Sequence, residues 1–253
     1  MKITFLGTGT SQGVPIIGCQ CPVCQSINPK DKRLRSSIFI ETDNGNFVID
    51  SGPDFRQQML RENIKQVDAI IFTHDHKDHT AGLDDIRAFN YIQKKPMEVF
   101  GEDYVLETLQ REFSYVFAKK KYPGIPKMNL NTISNHKFSI NKQSIEPIRG
   151  LHFKLPVLGF KIDNFAYITD MNFISDEELQ KIIGIDVLVI NALRIEKHIS
   201  HFNLEEALNI IEKTKVKKAY LTHISHALGL FDTQSRTLPN HVHLAYDGLK
   251  IEL

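Results

Sequence analysis

Short apolar runs broken by turn residues dominate this chain. In the first half, Lys2–Leu6, Ser37–Thr42, Asn46–Ile49, Ala69–Phe72 and Glu98–Gly101 read as strands, the second and third joined through Asp43-Asn44-Gly45. In the second half the same pattern returns at Ser144–Ile148, Gly159–Ile162, Phe165–Thr169, Asp186–Ile190, Lys218–Leu221, Val242–Ala245 and Leu249–Glu252. Helical periodicity marks Phe55–Glu62, Leu83–Phe89, Ser175–Ile182 and Leu204–Thr214, the last opened by Asn203 with Glu206 three residues on. Across Tyr104–Phe117, Leu106, Leu109, Phe113 and Phe117 recur at helical intervals and read as core. Strands in two groups, each flanked by helices, predict two sheets packed face to face and covered outside. Nothing in the composition separates the halves, so residues 1–253 are expected to form one domain with two related halves.

Hydrophobic residues make up 42% and charged residues 24%, which is ordinary globular composition, and the net charge of +1 gives no global case for nucleic-acid or membrane binding. No run approaches the ~20 apolar residues of a spanning helix, and Met1–Leu6 is too short for a secretion signal. The cytoplasm is the expected compartment. Cys19, Cys21 and Cys24 are an odd, clustered set, which reads as metal binding rather than a disulfide framework.

The densest chemistry is Thr73-His74-Asp75-His76-Lys77-Asp78-His79, directly after the apolar run Ala69–Phe72. On a helix His74 and His76 would diverge by roughly 200°. In an extended or looped backbone they face one side and can share an ion. Asp78 and His79 are then placed for a second ion beside it. Imidazole with carboxylate suits zinc, manganese or iron. His152, Asp170 and His223 each follow a strand, where binding residues gather on a rigid scaffold, and together they complete two coordination shells. Gly7-Thr8-Gly9-Thr10-Ser11-Gln12-Gly13 follows a strand but lacks dinucleotide spacing, and reads as a turn passing near the site. Lys119-Lys120-Lys121-Tyr122-Pro123-Gly124 ends the Tyr104–Phe117 helix as a charged loop.

In order and spacing, His74-x-His76-x-Asp78-His79 with His152, Asp170 and His223 resembles the metallo-β-lactamase superfamily across the whole chain. That resemblance implies an α+β fold, an αββα four-layer sandwich of two mixed sheets with helices outside and a two-metal site at one edge. It assigns one metal to His74, His76 and His152, the other to Asp78, His79 and His223, with Asp170 bridging. Asp50 matches the family's first acidic motif. Cys19-x-Cys21-x-x-Cys24 with His226 resembles the PhnP-type phosphodiesterases of phosphonate metabolism and implies a structural zinc held by three thiolates and an imidazole. The same resemblance places a proton donor at His201, with His198 as a rival, and implies a possible homodimer.

The expected activity is hydrolysis of small or cyclic phosphodiesters by a dinuclear zinc or manganese enzyme, with a metal-bridging hydroxide as nucleophile. Counting Asp78, Asp170 and that hydroxide against two divalent ions leaves about +1, which favours a phosphodiester anion. His201 is expected near its unperturbed pKa, able to protonate an alkoxide leaving group. The alternatives are a tRNA 3′-processing type of endonuclease, a pyrroloquinoline-quinone-biosynthesis-like protein, and a metal-stabilised binding or sensor protein without catalysis.

Overall fold

In the computed structural model, which describes residues 1–120 and 122–253, the apolar runs close into two sheets. In chain order the strands are β1 (Lys2–Gly7), β2 (Ser37–Thr42), β3 (Gly45–Ile49), β4 (Ala69–Ile71), β5 (Met97–Gly101), β6 (Met128–Thr132), β7 (Phe138–Ile140), β8 (Gln143–His152), β9 (Leu155–Ile162), β10 (Phe165–Ile168), β11 (Phe173–Ile174), β12 (Val187–Asn191), β13 (Lys218–Thr222), β14 (Val242–Leu244) and β15 (Lys250–Glu252). One sheet runs β15-β1-β2-β3-β4-β5-β6, the other β11-β8-β9-β10-β12-β13-β14, with β7 paired beside β8. Both are antiparallel over their first three pairings and parallel over the last three. That repeated order is the relation between halves expected from the sequence.

Period two decides which layer each side chain joins. Ile38, Ile40, Phe47 and Ile49 point between the sheets, where they meet Phe160, Ile162, Phe165, Tyr167 and Val189. Their neighbours Phe39, Val48 and Ile70 face outward onto Phe55, Met59, Phe89, Leu106 and Leu109 of the outer helices. On the second sheet Ile168, Leu188 and Ile190 face Leu179, Ile182, Ala207 and Ile211. Both faces of the central strands are buried, so their sequences read as near-continuous apolar runs. The four layers are helices, sheet, sheet, helices, as the fold class requires.

Several boundaries differ from expectation. The expected Ser144–Ile148 strand continues to His152, so His152 ends a strand rather than lying in a Gly150-Leu151-His152 turn. Gly150 is accommodated there because Met171 packs where its Cβ would be. The helix expected over Tyr104–Phe117 divides into Asp103–Glu112 and Ser114–Phe117, with Phe113 leaving helical geometry at ψ 37°. Leu83–Ile86 is 3-10 helix and only Arg87–Gln93 is α. Leu204–Thr214 forms as expected, with the reciprocal Asn203–Glu206 capping box. Lys119 and Lys120 are exposed beyond the divided helix; Lys121 of the same run lies outside the described residues. Among the described residues no helix is long and apolar enough to cross a membrane.

Candidate functional site

The expected ligands converge from the ends of separate strands on one edge of the sandwich. His74 and His76 follow β4, His152 ends β8, Asp170 follows β10 and His223 follows β13. The chain stays extended at His76 (ψ 149°) and then enters the short helix Lys77–Thr80, which carries Asp78 and His79. Asp50, Asp170 and His223 have φ of 64°, 56° and 53°, the left-handed region that Asp and His tolerate better than most residues. Each turns its side chain inward immediately beyond a strand. Gly52 is the glycine that lets this happen beside the metal loop: a Cβ there would lie 2.0 Å from the Asp78 carbonyl oxygen.

Hydrogen bonds behind the site fix the imidazole tautomers. Asp50 is fully buried; its Oδ1 accepts from the Thr73 N–H at 2.9 Å and its Oδ2 from the Thr73 hydroxyl at 2.8 Å. A carboxylate only accepts, so the 2.7 Å contact from His79 Nδ1 to Asp50 Oδ2 places the hydrogen on Nδ1. The Thr73 hydroxyl has spent its hydrogen on Asp50, so at 2.9 Å it accepts from His74 Nδ1. The Ser200 carbonyl accepts from His152 Nδ1 at 2.8 Å. The Ser36 hydroxyl donates to the Gly9 carbonyl at 2.9 Å and accepts from His223 Nδ1 at 3.2 Å. His74, His79 and His152 are thereby tied at Nδ1 and offer Nε2 lone pairs, whereas His223 Nδ1 also lies 3.0 Å from Asp170 Oδ2, on the side of the carboxylates. The Nε2 atoms of His74, His79 and His223 are buried with no hydrogen-bond partner. Leaving such atoms unpaired is costly unless an ion takes them.

The charge distribution makes the same demand. His79 Nε2 lies 3.1 Å from Asp78 Oδ2 and 3.2 Å from Asp170 Oδ2. Burial alone would lower the His79 pKa, but Asp78, Asp170 and Asp50 together hold it well above the ordinary value. Despite the opposing cost of burial, His79 holds the Asp78 carboxyl far below its usual range, and His223 and His79 do the same for Asp170. The spot requires positive charge. One ligand atom from each of Asp78, His79, Asp170 and His223 falls within 4.8 Å of the others. Ligands about 2.0–2.1 Å from a tetrahedral zinc would be about 3.3 Å apart, so the donor set fits a divalent ion. Beside it the rings of His74, His76 and His152 lie 4.6 to 5.8 Å apart, centre to centre. Asp170 stands between, since it also groups with His152 and His201.

Among the residues behind the site, the sequence points to Asp50 through its match to the acidic motif, while the supporting roles of Thr73, Ser36 and Ser200 emerge only from the structure. Thr73 adjoins the motif and was findable; Ser36 and Ser200 had no local signal. Replacing Asp50 by Asn should weaken metal binding by about 10–100-fold in chelator competition. An amide cannot accept from the Thr73 hydroxyl and His79 Nδ1 while also replacing the second oxygen.

His201 abuts this centre: it is buried, its ring centre is 4.6 Å from that of His152 and 4.9 Å from that of His223, and its Nδ1 is 3.7 Å from Asp170 Oδ1. His198 lies one ring further out, 5.1 Å from His201. The expectation that His201 keeps its ordinary pKa fails. Burial, joined by repulsion from His223 and His152, outweighs the attraction of Asp170 and pushes it down to about 3.

The cysteine loop forms a second cluster. The Sγ atoms of Cys19, Cys21 and Cys24 lie 3.3, 3.3 and 3.4 Å from His226 Nδ1. Zinc–sulfur and zinc–nitrogen bonds at tetrahedral angles would set that edge at about 3.6 Å. Cys21 caps the short helix Pro22–Gln25, and the Cys24 N–H donates to its sulfur at 3.4 Å, which folds Cys24 back onto the group. That donation, above all, brings the Cys21 thiol down to about 6, while burial pushes Cys24 up to about 11. All three cysteines are free, and a closed Cys₃His donor set fits zinc. A cavity of about 640 Å³ elsewhere, lined by Arg87, Lys94, Lys95 and Lys127 among others, contains none of these ligands.

Residues 45–224 match the β-lactamase superfamily domain. Along its full length the chain is similar to the crystal structure of a diphosphatase from the PhnP family, with 37% identity, a TM-score of 0.92, and 99% of this chain and 96% of that one covered. It is 40% identical to an octanoyltransferase of Porphyromonas gingivalis over 99% of this chain, and spans about half, 51%, of that protein's length. Zn(2+)-bound PqqB from Methylobacterium extorquens shares the fold at 17% identity and a TM-score of 0.82, covering 100% of both chains.

Proposed function

Because the chain belongs to the metallo-β-lactamase superfamily of metal-dependent hydrolases, and within it to the PhnP family, we propose that it is a two-metal phosphodiesterase acting on small phosphodiesters. The observation that carries this reading is the set of buried, unpartnered imidazole nitrogens gathered around the carboxylates of Asp78 and Asp170, with His74, His79 and His152 fixed through Nδ1. His74, His76 and His152 would hold one ion and Asp78, His79 and His223 the other, with Asp170 shared; Cys19, Cys21, Cys24 and His226 would hold a structural zinc. When bound, the catalytic pair supplies Lewis-acid polarisation of phosphoryl oxygens and an acidified water.

The chain's own residues account for the remainder. Only Asp78 and Asp170 bring negative charge to the two ligand groups, so the loaded centre stays cationic and draws a phosphate anion. Asp50, Thr73, Ser36 and Ser200 keep the ligands from rotating. His201 stands beside Asp170 with its Nδ1 buried and unpartnered, placed to accept or deliver a proton at a leaving oxygen. Its burial favours the neutral ring, so an incoming phosphate anion must raise its proton affinity before it can serve as the acid.

That requirement keeps a second reading in view. Diphosphates leave as phosphate anions without a donor, and the PhnP-family relative of 37% identity is called a diphosphatase. The two readings separate on one panel of metal-loaded protein with an alkyl phosphodiester, a nitrophenyl phosphodiester, a diphosphate diester, a precursor tRNA and a β-lactam. Turnover of the alkyl diester supports the phosphodiesterase; turnover of the diphosphate alone replaces it. Silence on every diester removes both. If His201 is the donor, His201→Ala should lose at least about tenfold more rate on the alkyl than on the nitrophenyl diester. Equal losses would end that role. With this reading go one functional domain over residues 1–253, a cytoplasmic setting, a homodimer, and zinc or manganese in the catalytic pair.

A further inference from the structure

The segment between β12 and the helix Leu204–Thr214 carries His198, Ser200 and His201. Its base is pinned from within. Leu193 N–H donates to the Phe202 carbonyl at 3.0 Å and Leu204 N–H to the Arg194 carbonyl at 2.9 Å. The Arg194 guanidinium donates to the carbonyls of Glu196 and Lys197, and Asn203 Nδ2 to that of Ile195 at 3.0 Å. At the tip the Ser200 N–H donates to His198 Nδ1 at 3.3 Å. Ile199 is 68% exposed, so burial does not hold it in place. Yet the adjacent Ser200 carbonyl fixes the tautomer of His152, and His201 faces the metal ligands.

Two side chains from outside tie the tip down: His152 Nδ1 donates to the Ser200 carbonyl at 2.8 Å, and Asn172 holds the residue before it. Asn172 Nδ2 donates to the Ile199 carbonyl at 3.2 Å, and Asn172 Oδ1 accepts from the Phe153 N–H at 2.7 Å. The amide orientation is forced, since an N–H only donates and a carbonyl only accepts. Phe153 is the residue after His152 and sits at φ 57°, in the left-handed region that an aromatic residue disfavours. Asn172 is itself anchored: its N–H donates to the Leu151 carbonyl at 2.9 Å, and next to it the Met171 carbonyl accepts from Phe202 N–H at 2.7 Å. Beside the direct His152–Ser200 bond, this planar amide thus spans the hairpin that ends in His152 and the loop that presents His201.

We propose that Asn172 is a positioning residue, a latch that sets the loop of Ser200 and His201 against the hairpin of His152. Its catalytic consequence rests on the phosphodiesterase reading above; its structural consequence does not. Asn is suited because both jobs need a donor and an acceptor on one short planar group. The Asn172→Asp side chain would still accept from Phe153 but would set a carboxylate against the Ile199 carbonyl. Alanine would lose both contacts.

Hydrogen exchange by mass spectrometry and steady-state kinetics on the metal-loaded full chain test this together. Asn172→Asp should speed exchange of the 197–202 amides by about tenfold or more and leave 150–156 unchanged; Asn172→Ala should speed both. Bound metal should stay at the wild-type level. On the alkyl diester kcat should fall by about 10–100-fold with KM within about twofold, and on the nitrophenyl diester by about threefold at most. A general loss of structure would raise exchange everywhere and lower both activities alike. Unchanged exchange in both variants overturns the latch, and so does an equal kcat loss on the two diesters. If the wild type hydrolyses no diester, the functional reading fails while the exchange pattern still decides the latch.

Discussion

Replacing Asp170 by Asn is expected to lower kcat/KM on a nitrophenyl phosphodiester by about a thousandfold or more, a larger loss than the 10–100-fold typical of residues one shell out. Asp170 lies at the junction of the centre: it clusters with Asp78, His79 and His223 on one side, and with the ligand His152 and the neighbouring His201 on the other. Its carboxylate is held ionised by His223 and His79 in a buried position. The amide keeps the size but removes the charge and one acceptor, so the positive charge that this spot requires loses part of its support. Metal analysis should show less than the wild-type complement in the catalytic pair, with the Cys₃His metal retained. Fold should survive, because the Met171 peptide that follows is gripped independently: Met171 N–H donates to Asn191 Oδ1 at 3.0 Å and Asn191 Nδ2 donates to the Met171 carbonyl at 2.9 Å. Near-wild-type turnover with a full metal complement would remove Asp170 from the reaction and the two-metal reading with it.

That residue also marks the limit of what the chain discloses unaided. Asp170, Asp50 and His223 were recognisable as polar residues beyond apolar strands, but their left-handed backbone, which aims them inward, is a tertiary outcome that no local propensity encodes. The His74–His79 loop was legible because spacing at a strand end restricts which side chains can share an ion. The residues that fix the tautomers were not: Ser36 reaches His223 across 187 residues and Ser200 reaches His152 across 48. Strands buried on both faces were readable as apolar runs. β6, Met-Asn-Leu-Asn-Thr, is an edge strand whose two Asn residues are of a type strands disfavour, and its alternation is too short to stand out. The lowered pKa of His201 is invisible in the sequence for the same kind of reason, because burial is set by neighbours from other elements.

The cysteine cluster supplies the other large expected effect, and on stability rather than turnover. Cys24→Ser should remove one equivalent of zinc and cost about 2–5 kcal/mol, less than the 10–16 kcal/mol of isolated zinc-finger peptides because the four-layer core folds around its own apolar contacts. For a chain of this length that is about 5–15 °C in Tm. The loss should be read first in residues 10–35, whose apolar support is small: Val14, Val23 and Cys24 are buried there, with Ile16 and Leu230 partly so. Proteolysis or hydrogen exchange confined to that loop would locate it. The consequence does not stop there, because His223-Ile224-Ser225-His226 feeds both centres within one turn. Ile224 N–H donates to the Thr8 carbonyl at 2.9 Å and Thr10 N–H to the Ile224 carbonyl at 3.1 Å, so the loop that the cysteines close also brackets the segment carrying His223. Ser36, whose hydroxyl lies 3.2 Å from His223 Nδ1, donates to the Gly9 carbonyl of the same loop. Cys24→Ser should therefore lower diester turnover by about tenfold while the catalytic pair stays loaded, since ligand orientation is disturbed and ligand identity is not. Full activity with one zinc missing would confine the cysteines to stabilising the loop, whereas unchanged metal content and Tm would show that the four donors hold no ion.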